Sequence, residues 1–171
     1  MKNDLSYESI TLREVRESDL ELLREHRNDR GTRVWLEDCN EISVAQQARW
    51  YQQGGSKGVH IAVHAGKDVG LSRISLAAAG AEALVGLDIF RPYRGRALAK
   101  SVFRATCNAA LAAGAGSLAL WVFRENQPAV RVYSVQNFAV DENEPAKWFV
   151  RQFPQDLYAA PHAYIKMIRR G

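Results

Sequence analysis

Apolar and polar positions change period several times along this chain, which predicts strands alternating with helices. Residues 7–15 alternate between the two classes and predict a first strand. Residues 19–27 then carry apolar side chains at helical spacing, and Ser18 and Glu21 are spaced as a capping box at the helix start. A strand followed by a helix is therefore expected at the beginning of the fold.

The next stretch predicts a second helix and then a pair of strands. Ser43 and Gln46 again have capping-box spacing, and Gly54 is placed to end the helix that they begin. Residues 59–77 form two apolar stretches separated by a turn at 65–68. This pattern is typical of a β-hairpin.

The second half of the chain repeats the alternation. The predicted elements are a strand over 82–90, a helix over 95–113, a strand over 117–123, a short helix after Asn126, and strands at 137–140 and 162–170. Asn137 follows the short helix where left-handed backbone is common, and asparagine tolerates that conformation. The order predicts an α/β fold with one mixed central sheet, in a single domain over residues 1–171.

Composition narrows the class of partner. The chain has 171 residues, of which 47% are hydrophobic, so one ordinary domain can bury a sizeable core. Its net charge of +4 is not gathered into a basic block, so we expect a small anionic ligand rather than nucleic acid. The chain begins with polar residues and contains no apolar run long enough to span a bilayer. We therefore expect a cytoplasmic protein without a membrane partner.

Cysteine and histidine spacing indicates neither disulfides nor metal. Cys39 and Cys107 lie far apart without a CxxC pattern, and the four histidines are scattered. We expect reduced thiols and no metal cofactor.

The stretch YRGRALAKSVF, residues 93–103, carries the first candidate site. The N-terminus of a helix has backbone N–H groups without acceptors and a partial positive charge, so it binds phosphate groups. Small residues at 95, 97 and 99 would let a diphosphate approach the backbone, while Arg94 and Arg96 add charge. Alternatively, the small residues serve close packing of helix on sheet and the arginines are solvated.

A second stretch, NQPAVRVYSVQNF at 126–138, decides between these interpretations. Together with residues 84–99 it resembles the GCN5-related N-acetyltransferase (GNAT) family, whose acetyl-CoA signature is Arg/Gln-x-x-Gly-x-Gly/Ala followed by Asn-x-x-Ala-x-x-x-Tyr-x-x-x-Gly-Phe. The matching residues are Arg94, Gly95, Arg96, Ala97, Leu98 and Ala99, then Asn126, Ala129, Tyr133, Asn137 and Phe138. Ala97 and Asn137 stand where the family usually has glycine.

The resemblance implies a mostly antiparallel sheet with one splayed strand pair, flanked by about four helices. It also implies acetyl-CoA as the acetyl donor. The diphosphate would lie on residues 94–99, and the pantetheine arm would pair with a bulged strand at Leu87, Asp88 and Ile89. Asn126 would hydrogen-bond the pantetheine.

The resemblance assigns catalysis to Tyr133, as the general acid that protonates the departing thiolate; otherwise Tyr133 is an ordinary core aromatic. A base or a water relay must remove a proton from the attacking ammonium group. Asp88 has the better position for a base and Glu82 is the second candidate, but a carboxylate on a strand is often only solvated or ion-paired.

The amino-terminal segment suggests the acceptor. Residues 24–51 resemble the branch that contains ribosomal-protein alanine acetyltransferases and amino-sugar-nucleotide acetyltransferases. The candidate substrate-binding residues are Arg27, Asn28, Arg33, Trp35 and Arg73. Arg33 or Arg73 could meet a nucleotide diphosphate and Trp35 could stack on a base or sugar. Alternatively, Arg27 and Asn28 only close the first helix and Trp35 lies at the rim.

These observations favour an acetyl-CoA-dependent N-acetyltransferase that modifies the primary amine of a small molecule, with an amino-sugar nucleotide as the first candidate. The two alternatives are a protein N-terminal acetyltransferase and a CoA-binding module without turnover. A homodimer is compatible with the resemblance.

Overall fold

Eight strands and five helices form the described part of the chain, which covers residues 9–151 and 160–169 in this computed structural model. The strands are β1 (Thr11–Glu14), β2 (Val59–His64), β3 (Lys67–Leu76), β4 (Glu82–Ile89), β5 (Ser117–Phe123), β6 (Phe138–Val140), β7 (Lys147–Arg151) and β8 (Ala160–Arg169). The helices are α1 (Leu20–Asn28), α2 (Arg30–Arg33), α3 (Val44–Gln52), α4 (Ala99–Ala112) and α5 (Gln127–Ser134).

All eight strands belong to one mixed sheet. Its order is β1-β2-β3-β4-β5-β8-β6, and β7 pairs with β8 beside β6. Every pairing is antiparallel except that of β4 with β5. The predicted mixed, mostly antiparallel sheet is confirmed. β7 was not predicted.

Helices cover both faces of the sheet. On one face, α4 and α5 pack through Phe103, Cys107 and Tyr133 against β5 and β8. On the other face, α1 and α3 cover a smaller core that contains Leu23 and Leu71. The helical spacing of the apolar residues in these elements is what lets each helix bury one side.

Three local predictions are confirmed. The β2–β3 hairpin turns through Ala65 (φ 50°) and Gly66 (φ 68°), as a two-residue turn requires. The backbone N–H of Gln46 donates to Ser43 Oγ at 3.2 Å, and the N–H of Ser43 donates to Gln46 Oε1 at 2.7 Å. Asn137 has φ 67° and so takes the left-handed conformation.

The start of α1 differs from the prediction. Ser18 lies inside a 3₁₀ turn, Glu17–Asp19, and its side chain does not cap the helix. The Asp19 carboxylate instead accepts a hydrogen bond from the N–H of Arg16 at 2.8 Å and pairs with Arg13 at 2.7 Å. The capping box predicted at Ser18 is wrong, because an ion pair with Arg13 of the preceding strand β1 fixes the neighbouring Asp19 there.

The strands β4 and β5 diverge, and this divergence creates the main cleft. They pair only over Glu82–Leu84 with Ser117–Ala119, although both strands continue for four or more residues. The splayed pair is therefore present. The expected bulge in β4 is not, since the β3–β4 register stays constant from Gly70 with Ile89 to Leu76 with Ala83.

Candidate active site

A cavity of about 360 Å³ occupies the gap between β4 and β5. Its walls come from the unpaired ends of both strands, from α5 and from the segment that follows α2. Among its lining residues are Gly31, Thr32, Trp35, Leu36, Arg73, Asp88, Trp121, Asn126, Tyr133 and Tyr164. The fold thus brings residues from both halves of the chain to one cleft.

The backbone of β4 has an open edge along this cleft. The N–H of Phe90 donates to the carbonyl of Val69 on β3 at 2.9 Å. Successive residues of an antiparallel strand direct their backbone groups to alternate edges. The backbone of Leu87 and Ile89 therefore faces the gap, whereas the backbone of Asp88 faces β3.

The loop before α4 presents backbone amides at one end of the cleft. The first hydrogen bond of the helix runs from the N–H of Val102 to the carbonyl of Leu98 at 3.0 Å, so the N–H groups of residues 99–101 have no helical acceptor. Gly95 (φ 75°) and Ala97 (φ 59°) both adopt left-handed backbone. This conformation suits the glycine at 95, whereas the alanine at 97 adopts it at a cost in strain. It also delays the helix to Ala99, although the sequence predicted a start at 95.

Arg94 braces this loop. Its Nη1 atom pairs with Asp29 at 2.7 Å, its Nη2 atom donates to Thr32 Oγ1 at 2.7 Å, and its Nε atom donates to the carbonyl of Ile89 at 3.1 Å. All three nitrogens therefore have protein acceptors. Arg96 is exposed, with its guanidinium 5.5 Å from the ring centre of Tyr93, and remains the better placed of the two arginines for an anion.

Asn126 and Tyr133 line the opposite wall, on α5. Asn126 caps this helix, since its Oδ1 atom accepts from the N–H of Ala129 at 3.4 Å. Tyr133 is only 7% exposed, and its ring centre lies 4.8 Å from that of Phe103. Burial, together with the charge of Asp88, raises the pKa of Tyr133. The phenol is therefore protonated throughout the physiological range, as a proton donor must be.

Asp88 sits in a charged cluster on the α1 side of the sheet. It forms an ion pair with Arg73, and its Oδ2 atom lies 3.5 Å from His26 Nε2. Burial acts to raise the pKa of Asp88, but the Arg73 charge and the His26 contact outweigh it and lower the pKa to about 2. A carboxylate with so low a pKa is a weak base, so this geometry favours a positioning role over proton abstraction.

Glu82, the other base candidate, lies away from the cleft. It begins β4 and pairs with Lys166 Nζ at 2.8 Å. The divergence of the strands starts two residues later, so the Glu82 carboxylate is at the closed end of the strand pair.

Three of the predicted substrate-binding residues hold a loop. Arg27 donates to two backbone carbonyls of loop 38–42, at 2.7 and 3.1 Å. Asn28 makes two 2.8 Å hydrogen bonds to the backbone of Ile42. Arg33 donates to the carbonyl of residue 39 at 3.2 Å and pairs with Glu41 at 3.1 Å. Of the predicted acceptor residues, Trp35 and Arg73 line the cleft itself.

Sequence reasoning missed an aromatic pair on the acceptor side. Trp121 and Tyr164 stack with ring centres 5.5 Å apart, and both line the cleft. Lys147 Nζ lies 3.9 Å from the Trp121 ring centre. Burial and the negative charge of Glu37 raise the pKa of Tyr164 to about 12. The one available signal was a tryptophan within the apolar strand 117–123, a position that favours stacking as well as core packing.

Residues 9–151 and 160–169 lack two further features. They contain no cluster of three or more potential metal-ligating side chains. No helix there is both long and apolar enough to cross a membrane.

Comparison with known families identifies this architecture. A family model described as the acetyltransferase (GNAT) domain matches residues 9–138, which include both sequence signatures. The chain belongs to the GNAT acetyltransferase family. A comparison with curated proteins finds no match.

Solved structures share the GNAT fold at low sequence identity. Spermidine N-acetyltransferase from Vibrio cholerae, in complex with CoA and spermine, has a TM-score of 0.71 and 16% identity over 94% of this chain and 96% of that one. AAC(6')-Ib, in complex with ribostamycin and coenzyme A, gives 0.71 and 19% over 94% of each chain. Ribosomal-protein-alanine N-acetyltransferase from Brucella melitensis gives 0.69 and 15% over 92% and 99%.

The predicted family, fold and enzyme class are therefore confirmed for this GNAT protein. The names of its structural neighbours refer to different acceptors, so the acceptor has to be inferred from this chain's own cleft.

Proposed function

We propose that this GNAT protein transfers an acetyl group from acetyl-CoA to a primary amine, by direct attack of the amine on the thioester in the β4–β5 cleft. The observation that carries the proposal is an open strand edge at the backbone of Leu87 and the N–H of Ile89, which faces a buried, protonated Tyr133 across the gap.

The chain's own groups match the parts of the donor. The free N–H groups at 99–101 and the cation of Arg96 suit a diphosphate. The backbone of Leu87 and Ile89 suits the amide groups of a pantetheine arm, since an open edge pairs with extended amides. The Asn126 carboxamide lies on the facing wall and can bind the same arm.

Acetyl-CoA supplies the acetyl group as a thioester. The amine nitrogen forms the new bond to the carbonyl carbon, the C–S bond breaks, and Tyr133 Oη donates its proton to the departing sulfur. The nitrogen loses its own proton to water, because Asp88 is held ionised by Arg73 and has little affinity for it. Tyr133 then regains a proton from solvent.

For the acceptor, we propose a small amine carried on a sugar nucleotide. Trp35, Trp121 and Tyr164 give the acceptor side of the cleft flat apolar walls, which suit a sugar ring or base. Arg73 adds a cation at the same wall. A peptide N-terminus is the competing acceptor.

The test has two stages. Calorimetry first measures binding of CoA and acetyl-CoA to the full chain. Thiol release is then followed with acetyl-CoA and each of three acceptors: a 4-amino-sugar nucleotide, an alanine-starting peptide and spermidine. We expect saturable CoA binding and fastest release with the amino-sugar nucleotide, with the acetylated product seen by mass spectrometry. CoA binding without thiol release from any amine would instead indicate a non-catalytic CoA-binding module.

A further inference from the structure

A second cavity of about 370 Å³ lies beside the cleft, between α1, α3 and the sheet. It shares Thr32, Leu36 and Arg73 with the cleft. A molecule whose amine reaches the thioester can therefore extend past these three residues into the second cavity. Its volume is within the range of small-molecule sites.

The walls of the second cavity are mostly apolar, and one of them is a fixed aromatic ring. Leu23, Ile42 and Leu71 line it together with Trp50. The indole of Trp50 fills the space that a side chain at Gly55 would need, so the ring is held against the backbone there. Such walls suit a flat group with apolar faces.

The charges around this cavity select against polycationic acceptors. Arg27 and Arg73 line it, while no aspartate or glutamate is among its lining residues in the described part of the chain. Burial and the nearby charges of Arg33 and Arg73 lower the pKa of Arg27, although Asp38 opposes them. Asp88 and Asp38 offset the charges of Arg73 and Arg27 but do not line the cavity, so a second ammonium group on the acceptor would find no carboxylate among the described lining residues, whereas a neutral or anionic group needs none.

Gln47 gives the cavity a specific polar feature. The residue is only 6% exposed and lines the cavity, and its side-chain amide has no hydrogen-bond partner among the described residues. The neighbouring Gln46, by contrast, uses its Oε1 atom to accept from Ser43. A carboxamide that lines a cavity without a protein partner can bind a ligand, and it presents a donor and an acceptor side by side. Gln47 therefore suits a planar ligand edge that carries one of each.

We propose that the second cavity holds the pyrimidine base of the nucleotide-linked acceptor, with Gln47 paired to the base edge and Trp50 against the ring. Arg73, at the border of the two cavities, pairs with Asp88 through Nη2 and has further donors for the linking diphosphate. This inference rests on the proposed function and adds the base as the group by which the enzyme recognises its acceptor.

The experiment uses the full chain saturated with CoA, so that a nucleotide cannot occupy the diphosphate loop. Uridine 5′-diphosphate is titrated by calorimetry into the unaltered protein, Gln47→Leu and Gln52→Leu. Gln52 is the matched control because it is exposed on the same helix. We expect Gln47→Leu to raise the Kd about tenfold and Gln52→Leu to leave it unchanged. Gln47→Met makes the same comparison if the leucine variant does not fold.

Two results would overturn the base-binding site while leaving the proposed function intact. One is CoA-loaded protein that shows no saturable heat with uridine 5′-diphosphate at millimolar concentration. The other is equal affinity in all the variants. A failure of CoA itself to bind would overturn the proposed function, and this inference with it.

Discussion

The two halves of the cleft use their polar groups in opposite ways. The donor half, formed by β4, the loop before α4 and α5, leaves backbone groups open at residues 99–101 and at Leu87. The acceptor half is formed by α1, α2 and loop 38–42. Its polar side chains Arg27, Asn28 and Arg33 hydrogen-bond to the backbone of that loop.

The difference indicates how each half achieves specificity. A site made of backbone groups depends on chain conformation, so Ala97, where the family usually has glycine, affects it through backbone strain rather than through a lost contact. A site whose polar side chains hold a loop depends on the shape that the loop creates. Arg94 connects the two halves, because it joins the diphosphate loop to Asp29 and Thr32. Variants in each half should therefore have separable effects.

The largest effect is expected at the meeting point of the halves. Tyr133→Phe removes the proposed proton donor and should lower kcat about 10- to 10³-fold while leaving CoA affinity nearly intact. Steady-state thiol release and calorimetry measure the two quantities. Tyr51→Phe, on the opposite face of the sheet, is the control and should change neither. An unchanged kcat in the Tyr133 variant would remove this residue from the mechanism.

Asp88→Asn should mainly affect stability. The pKa of Asp88 in the fold, about 2, is below its ordinary value of 3.8, so ionised Asp88 stabilises the fold above pH 4, and this contribution disappears as pH falls to 2. We expect the variant to lose about 2 kcal/mol of unfolding free energy at pH 7. Denaturant unfolding should be measured at several pH values. The difference in unfolding free energy between the variant and the unaltered protein should decrease between pH 4 and pH 2.

The same variant tests the role of Asp88 in chemistry. If the carboxylate only positions Arg73 and His26, Asp88→Asn should lower kcat less than about tenfold. A decrease in kcat of about a hundredfold or more, measured where the variant is fully folded, would instead indicate that Asp88 is the base.

Asn28→Ala should affect the acceptor half alone. It removes both hydrogen bonds to Ile42 and should cost about 1–2 kcal/mol of stability. We expect a higher KM for the amine and an unchanged Kd for CoA. Asn108→Ala, on the exposed side of α4, serves as the control. Weakened CoA binding in Asn28→Ala would contradict the separation of the halves.

The smallest effect is expected in the donor loop. Alanine at φ 59° is strained, and glycine adopts that conformation freely at some cost in unfolded-chain entropy. Ala97→Gly should therefore raise the free energy of unfolding by about 0.5 kcal/mol and leave CoA affinity equal or higher. Ala105→Gly, inside α4, should have the opposite sign. A destabilised Ala97→Gly would show that the loop is not strained.

Local features of the molecule could be predicted from its sequence. The order of strands and helices follows from the period of apolar residues, and the cap at Ser43, the turn at Ala65 and the left-handed Asn137 follow from residue chemistry at single positions. The expectation that Tyr133 and Asn126 share one cleft came instead from the resemblance to the GNAT signature, and both residues line the cleft.

Only the tertiary structure decided which polar groups are engaged. Arg94 pairs with a residue 65 positions earlier, and Asp88 meets Arg73 and His26 from two other elements. The unpartnered amide of Gln47 and the cavity beside the cleft also depend on how α1 and α3 pack on the sheet. Periodicity reports which side of an element is buried, whereas ion pairs and cavities depend on register and on the distances between elements, which no local pattern contains.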